Sequence, residues 1–515
     1  MKKKIIFLFV LILSIFSLAS CTTDSGLYLK GETIAGSSLD YKYQDSDGEK
    51  ISSLYEEAAA LVDEASDYKA FTKKYYQIVS IVNKAYDAYQ KENLTFQLYG
   101  EEEHNAKANE LYKIILDYFE GMTDEEIEET IGKEKPERYY AIQKEITDIK
   151  SEYDLLLVSS DEDKDTKIDK MYIRFVALSN ELAKLEGDYS NYLEYAYSSV
   201  YQRDYSVTDT DGFFAGVKNY VIPAYSEYNA QMDEIYESST EEERTNIEIF
   251  KKGDCFTNNL ELFRQYKKEM GGNFEYAFNH LWRDGGNYFI SYEKKGYQGA
   301  YQTSFAKTGK PYVFFGPGYH NILTVVHEFG HYYADTIRSV SSYDLAETQS
   351  QGNEFLFVSF LEVNNLLSEN ELKYISLSRT EDAMYYIILA SLVNEIEKRV
   401  YVKEDLQEGD VDAIVDAIFA EVPALAEIMT PDRIKSYWRR VVIDSAGYYI
   451  SYATSLVGSL NLYKIATDDF EKGKETYFKL TNFDSSEYDS YRKVYEYAGL
   501  LDPFKEETYE YILSK

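Results

Sequence analysis

His327-Glu328-Phe329-Gly330-His331 has residue types and a spacing that suffice to specify a chemistry. On an α-helix, residues four apart share a face, so both imidazoles can meet one metal ion. Glu328 lies about 100° round such a helix from His327, where it can reach a water on that ion. The chain has only 5 His among its 515 residues, so a pair at this spacing is informative. Zn2+ suits the pattern, and it needs a third protein ligand with a fourth position left for water. A metzincin would place His six residues after His331, where Ile337 stands, and the inverted H-x-x-E-H order is absent. Downstream, Glu347 and Glu354 are seven apart and fall on one helical face. One can ligate the metal while the other supports it.

These residues need elements to position them. Ile322, Val325, Val326 and Phe329 give the His-bearing segment an apolar side, as a half-buried helix requires. Just upstream, 288–292, 300–304 and 312–315 are short, aromatic and β-branched, with Gly and Lys between them. They predict a small β-sheet beside the His helix. Elsewhere the apolar period is three to four, through 51–85, 106–119, 138–157, 167–202 and 211–237, and again after 318. Only 7 Pro interrupt the chain, which favours long helices. The expected fold class is mainly α.

This ordered set resembles the M3 oligopeptidases, the family of thimet oligopeptidase and oligoendopeptidase F. His327 to His331 matches the family's H-E-[FL]-G-H, and Glu347, Ser350 and Glu354 match its Glu-x-x-Ser-x-x-x-Glu helix. Residues 185–192 and Arg203-Asp204-Tyr205-Ser206 are similar to the segment that opens the family's catalytic region. Residues 447–455, with Tyr448, Tyr449 and Tyr452, resemble its Tyr-rich segment facing the metal. The likeness covers about 180 to 465. It implies a zincin-like helical bowl with a deep substrate channel, and one Zn2+ held by His327, His331 and Glu347. Glu354 and Ser350 would then support the ligands. Three departures stand out. Glu347 follows His331 by sixteen residues, fewer than is usual in the family. Ala334 stands where many members have His, and residues 438–445 lack the His that members place before the Tyr cluster.

The chemistry so implied is peptide hydrolysis. Zinc lowers the pKa of its bound water towards about 7. Glu328 takes the proton during attack and passes it to the leaving amine. Tyr448, Tyr449 or Tyr452 assists the oxyanion. The strand carrying Tyr312, Val313 and Phe314 is expected to align an extended peptide by main-chain hydrogen bonds. Short peptides are the expected partners. An exopeptidase, or a catalytically weak peptide-binding lipoprotein of the same fold, is the alternative. His104, His280 and His320 carry no motif and are expected to be surface or hydrogen-bonded interior residues.

The N-terminus reads as an address. Lys2 to Lys4 precede an apolar run from Ile5 to Leu18, too short for a typical span. Leu18-Ala19-Ser20-Cys21 then resembles a bacterial lipobox. Residues 1–20 are expected to be a lipoprotein signal peptide, and Cys21 to carry the lipid on the extracytoplasmic side of the membrane. Residues 21–50, rich in Ser, Thr, Gly and Asp, read as a tether. Residues 51–180 read as an N-terminal helical region and 181–515 as the catalytic region, packed closely together as a monomer. Cys255, the other of 2 Cys, is left as a small buried hydrophobe. The net charge of −36 argues against a nucleic-acid partner, which needs clustered cations.

Overall fold

The structure, a computed structural model, describes residues 86–121, 137–157, 163–282, 286–293, 297–305, 309–337 and 342–514. Residues 1–85, with the signal segment, Cys21, the tether and the first expected helices, lie outside them. The described chain is mainly helical with one small sheet, the fold class expected. It forms two compact units. Of the described residues, one comprises those from 86 to Glu137 with Ile249–Thr336, the other those of Arg138–Glu248 with Ile337–Lys515. No boundary falls at 180, which lies inside the helix Lys164–Glu186.

In the first unit, three strands, β1 (Asn287–Ile290), β2 (Ala300–Ser304) and β3 (Pro311–Phe315), pair in the order β1-β3-β2. β1 runs parallel to β3, with Asn287 opposite Tyr312 and Ile290 opposite Phe315. β2 runs antiparallel, with Ala300 opposite Phe315 and Ser304 opposite Pro311. Tyr312 and Phe314 join Leu94, Leu98, Phe289 and Phe305 in one cluster. Phe315, on the opposite face, packs on Phe256 and Trp282. Burial on both faces explains why β3 reads as an unbroken apolar run.

β3 leads through Gly316-Pro317-Gly318 into helix α1 (Ile322–Thr336). A Cβ on Gly316 would stand 2.0 Å from the Tyr297 carbonyl oxygen, so this close approach admits only glycine. Asn321 caps α1, its Oδ1 accepting from the Thr324 N–H at 3.1 Å. Phe329 meets Phe263, Phe274 and Phe278. Asp335 Oδ2 accepts from Gln302 Nε2 and Ser304 Oγ on β2, both at 2.9 Å. The rotation of α1 about its axis is thereby set from both ends.

The second unit is built round α2 (Tyr343–Val363), α3 (Glu369–Tyr401) and α4 (Ile450–Asp468). α2 and α4 pack closely because small residues line their contact. Gly352 faces Leu462 and Ser459, and Ser455 Oγ donates to the Asp344 carbonyl at 2.7 Å. A capping box of Ser368 and Glu371 starts α3. On α4, a Cβ on Gly458 would lie 1.9 Å from Tyr495 Oη, which shares a 2.9 Å hydrogen bond with Thr348 Oγ1 of α2. Gly458→Ala must therefore displace Tyr495 and break that bond, lowering stability by about 1–3 kcal/mol. Thermal denaturation checks this, and an unchanged melting temperature would contradict the packing described.

Candidate metal centre

α1 carries His327, Glu328 and His331. His327 and Glu328 are buried and His331 is partly so. The two rings are edge-on, with centroids 5.0 Å apart. Burial, and then the neighbouring His327, push the His331 imidazole well below its usual range. A neutral imidazole has the free lone pair that a metal requires.

α2 carries Glu347, Ser350 and Glu354, all buried. Ser350 Oγ donates to the Glu347 carbonyl at 3.1 Å and lies 3.4 Å from Glu347 Oε2. The hydroxyl thus lies against the carboxylate, as support for a ligand would require. Glu354 has a different partner. Its Oε2 lies 3.0 Å from Arg379 Nε and its Oε1 accepts from Nη2 at 3.4 Å, with the guanidinium over the Phe355 ring. Among the described residues, His327, His331 and Glu347 form a group able to hold a metal ion, their ligand atoms all within 4.8 Å of one another. Two imidazoles and one carboxylate are a donor set that fits Zn2+ in a catalytic site. Glu347 lies in that group, whereas Glu354 is paired with Arg379.

Tyr448 and Tyr449 end a run of turns over 439–449, and Tyr452 lies in the first turn of α4. Tyr448 packs edge-on against Tyr452 and against Tyr343 of α2, at 5.1 and 5.7 Å between centroids. Tyr449 packs on Tyr452 and accepts a hydrogen bond from the Tyr437 hydroxyl at 3.0 Å. The segment is held by residues whose role the sequence did not disclose. Arg203 Nη1 donates to the Gly447 carbonyl at 2.7 Å, and the Gly447 N–H donates to Glu397 Oε1 of α3 at 2.8 Å. Arg203 Nε lies 3.4 Å from Asp344 Oδ2 at the start of α2, both side chains being fully buried. Arg203 fell within a segment noted for its resemblance, but nothing in the sequence linked it to Asp344 or to Gly447.

One expected role is contradicted. Tyr312, Val313 and Phe314 lie on the central strand, whose two edges are taken by β1 and β2. β3 therefore has no free main-chain groups with which to align a peptide. Among the remaining histidines, His104 pairs with Glu92 at 2.9 Å and His280 with Tyr332 at 2.7 Å, as expected of hydrogen-bonded residues. His320 differs, being buried against Tyr292 with no hydrogen-bond partner at either ring nitrogen among the described residues. Cys255 is the buried small residue expected, and burial pushes its thiol well above the usual range.

No family model and no curated protein matches the sequence. Solved structures do. A protein assigned as an oligoendopeptidase F aligns with a TM-score of 0.62 at 15% identity, over 92% of this chain and 96% of that one. The chain has the oligoendopeptidase fold. PZ peptidase A, solved with an inhibitor, aligns with a TM-score of 0.61 at 15% identity, over 92% of this chain and 97% of that one. A protein assigned as a peptidase from Chlamydophila abortus aligns at 0.56 and 13% identity, over 91% and 98% of the two chains.

Two predictions follow from these contacts. Glu347→Ala should lose far more zinc than Glu354→Ala, measured by metal analysis after dialysis, and equal losses would overturn the ligand choice. The second concerns Glu397, whose carboxyl is raised from 4.5 to about 8 by burial, against the opposing Gly447 hydrogen bond and the Arg203 charge. Between those values the folded state holds a proton that the unfolded state has released, so stability falls as pH rises through the window. Glu397→Gln has no such proton to lose. Its melting temperature relative to the unsubstituted protein should therefore be higher at pH 8.5 than at pH 5, and a constant difference would contradict the assignment.

Proposed function

We propose that this chain is a zinc metalloendopeptidase that hydrolyses short peptides. The observation that carries the reading is the convergence of His327, His331 and Glu347, with Glu328 next to the first of them on the same helix. When bound there, Zn2+ would polarise the scissile carbonyl and acidify water. Glu328, buried beside His327, accepts the proton of the attacking water on its carboxylate and returns it to the leaving amine. A hydroxyl from the Tyr448–Tyr452 segment donates to the developing oxyanion, a contribution typically of about 10² to 10³ in rate. With β3 enclosed, an extended peptide would add to an edge strand, and the half-buried residues of β2 offer the more accessible edge. The peptidase fold shared with the solved structures supports the same reading.

The proposal includes the address. The basic and apolar N-terminal run with Cys21 supports a lipid anchor that holds the protein on the extracytoplasmic face of a bacterial membrane.

Glu328→Gln should retain stoichiometric zinc and lose cleavage of a quenched peptide by at least about 10²-fold. Full activity in that variant would sink the mechanism. Mass spectrometry of products from a peptide mixture should show internal cuts, whereas trimming from one terminus would assign an exopeptidase instead.

A further inference from the structure

We propose that Arg203 is a positioning residue for this reaction, holding the segment that carries Tyr448 in register with the first turn of α2, three residues before Glu347. The inference rests on the peptidase reading above and adds to it a residue remote in sequence from every motif of the site.

Arg203 is fully buried and spreads its guanidinium over two elements. Nη1 donates to the Gly447 carbonyl at 2.7 Å, and Nη2 donates to Ser451 Oγ at 2.6 Å and to the Tyr448 carbonyl at 3.4 Å. Nε faces Asp344 Oδ2 at 3.4 Å. Asp344 is fixed in turn, Oδ1 accepting from the Tyr205 hydroxyl at 2.8 Å and from Thr454 Oγ1 at 3.2 Å. The flat face of the guanidinium lies over the rings of Tyr197 and Tyr201, at 4.3 and 4.5 Å. Tyr201 also donates its hydroxyl to the Ala446 carbonyl at 2.8 Å. Three successive carbonyls, 446 to 448, therefore end on side chains from residues 201–203. Gly447 sits at φ +73°, a conformation open to glycine and strained for other residues. Its N–H is held from the other side by Glu397.

The choice of residue types bears on the role. A buried ion pair rarely stabilises a fold more than apolar residues of the same size would. What the planar fork supplies is direction, since several acceptors at fixed angles admit one arrangement of the turn. Tyr448 follows Gly447 directly, and its ring meets Tyr343, the residue before Asp344. Through Arg203, the turn that carries Tyr448 is tied to the first turn of α2.

The test substitutes Arg203→Lys, which keeps a positive charge opposite Asp344 but cannot reproduce the fork. Three readouts are compared with the unsubstituted protein, all in the full chain. Hydrogen exchange measured by mass spectrometry should rise in peptides covering 445–452 and stay unchanged within α3. With a quenched peptide, kcat should fall by about 10²-fold with little change in KM, the signature of a misplaced group. In the Tyr448→Phe background, the same substitution should add almost no further loss, because Arg203 acts through that tyrosine. Unchanged exchange over 445–452, or fully additive losses in kcat, would overturn the proposal. If the unsubstituted protein cuts no peptide, the peptidase reading fails by itself, and the exchange measurement still decides whether Arg203 holds the segment.

Discussion

The buried pair of Arg203 and Asp344 is the constraint on which the second unit depends. Bringing both charges out of water costs several kcal/mol each before any interaction is counted. Their mutual attraction, with Nε and Oδ2 3.4 Å apart, and the hydrogen bonds made by the other guanidinium nitrogens and by Oδ1 offset that cost. Three main-chain or hydroxyl oxygens accept from the guanidinium, and two hydroxyls donate to the carboxylate. Such a cluster tolerates one arrangement. It fixes where α2 begins, where α4 begins, and the conformation of the turn between Ala446 and Tyr448. The Glu347 carboxylate and Tyr448 then follow as consequences of local geometry, three residues on from Asp344 and one on from Gly447.

The candidate site was legible in the sequence where it is local. Two His four apart need only a helix to converge, and the apolar residues beside them already specify one. The strands were legible because aromatic and β-branched residues are grouped in short runs, and all three occur where the composition placed them. Their order was not, since no local signal says which of three short strands lies in the middle. A hint was present in Tyr312 to Phe315, where apolar residues do not alternate with polar ones. Glu347 and Glu354 could not be distinguished by spacing, because seven residues return to the same face. What separates them is Arg379, which lies on another helix. The link between Arg203 and Asp344 spans 141 positions and left no trace in the pattern of either segment. The division of the chain was illegible for a similar reason, since both units are assembled from segments distant in sequence.

The abundance of tyrosine acquires a physical meaning from the structure. Several interior tyrosines are apolar bodies that end in a donor, and the donor finds a backbone carbonyl or an acid. Tyr153 donates to the Arg439 carbonyl, Tyr201 to Ala446, Tyr509 to Pro503 and Tyr205 to Asp344. Phenylalanine would fill the same volumes but remove one hydrogen bond from each of those acceptors, and an acceptor left buried with none costs about 1–3 kcal/mol. A protein made of long helices joined by irregular turns has many such acceptors at helix ends. Tyrosine covers them while contributing to the core.

Cys255 has a consequence of a different kind. Its thiol is enclosed at the start of a helical segment, its N–H bonded to the His320 carbonyl at 2.8 Å, and burial keeps it protonated. Oxidants, mercurials and alkylating agents react with exposed thiolates. This one is neither exposed nor ionised, so among the described residues a change in the redox state of the surroundings finds no reactive thiol. Iodoacetamide in a mixed extract would silence cysteine-dependent peptidases and leave Cys255 as it was.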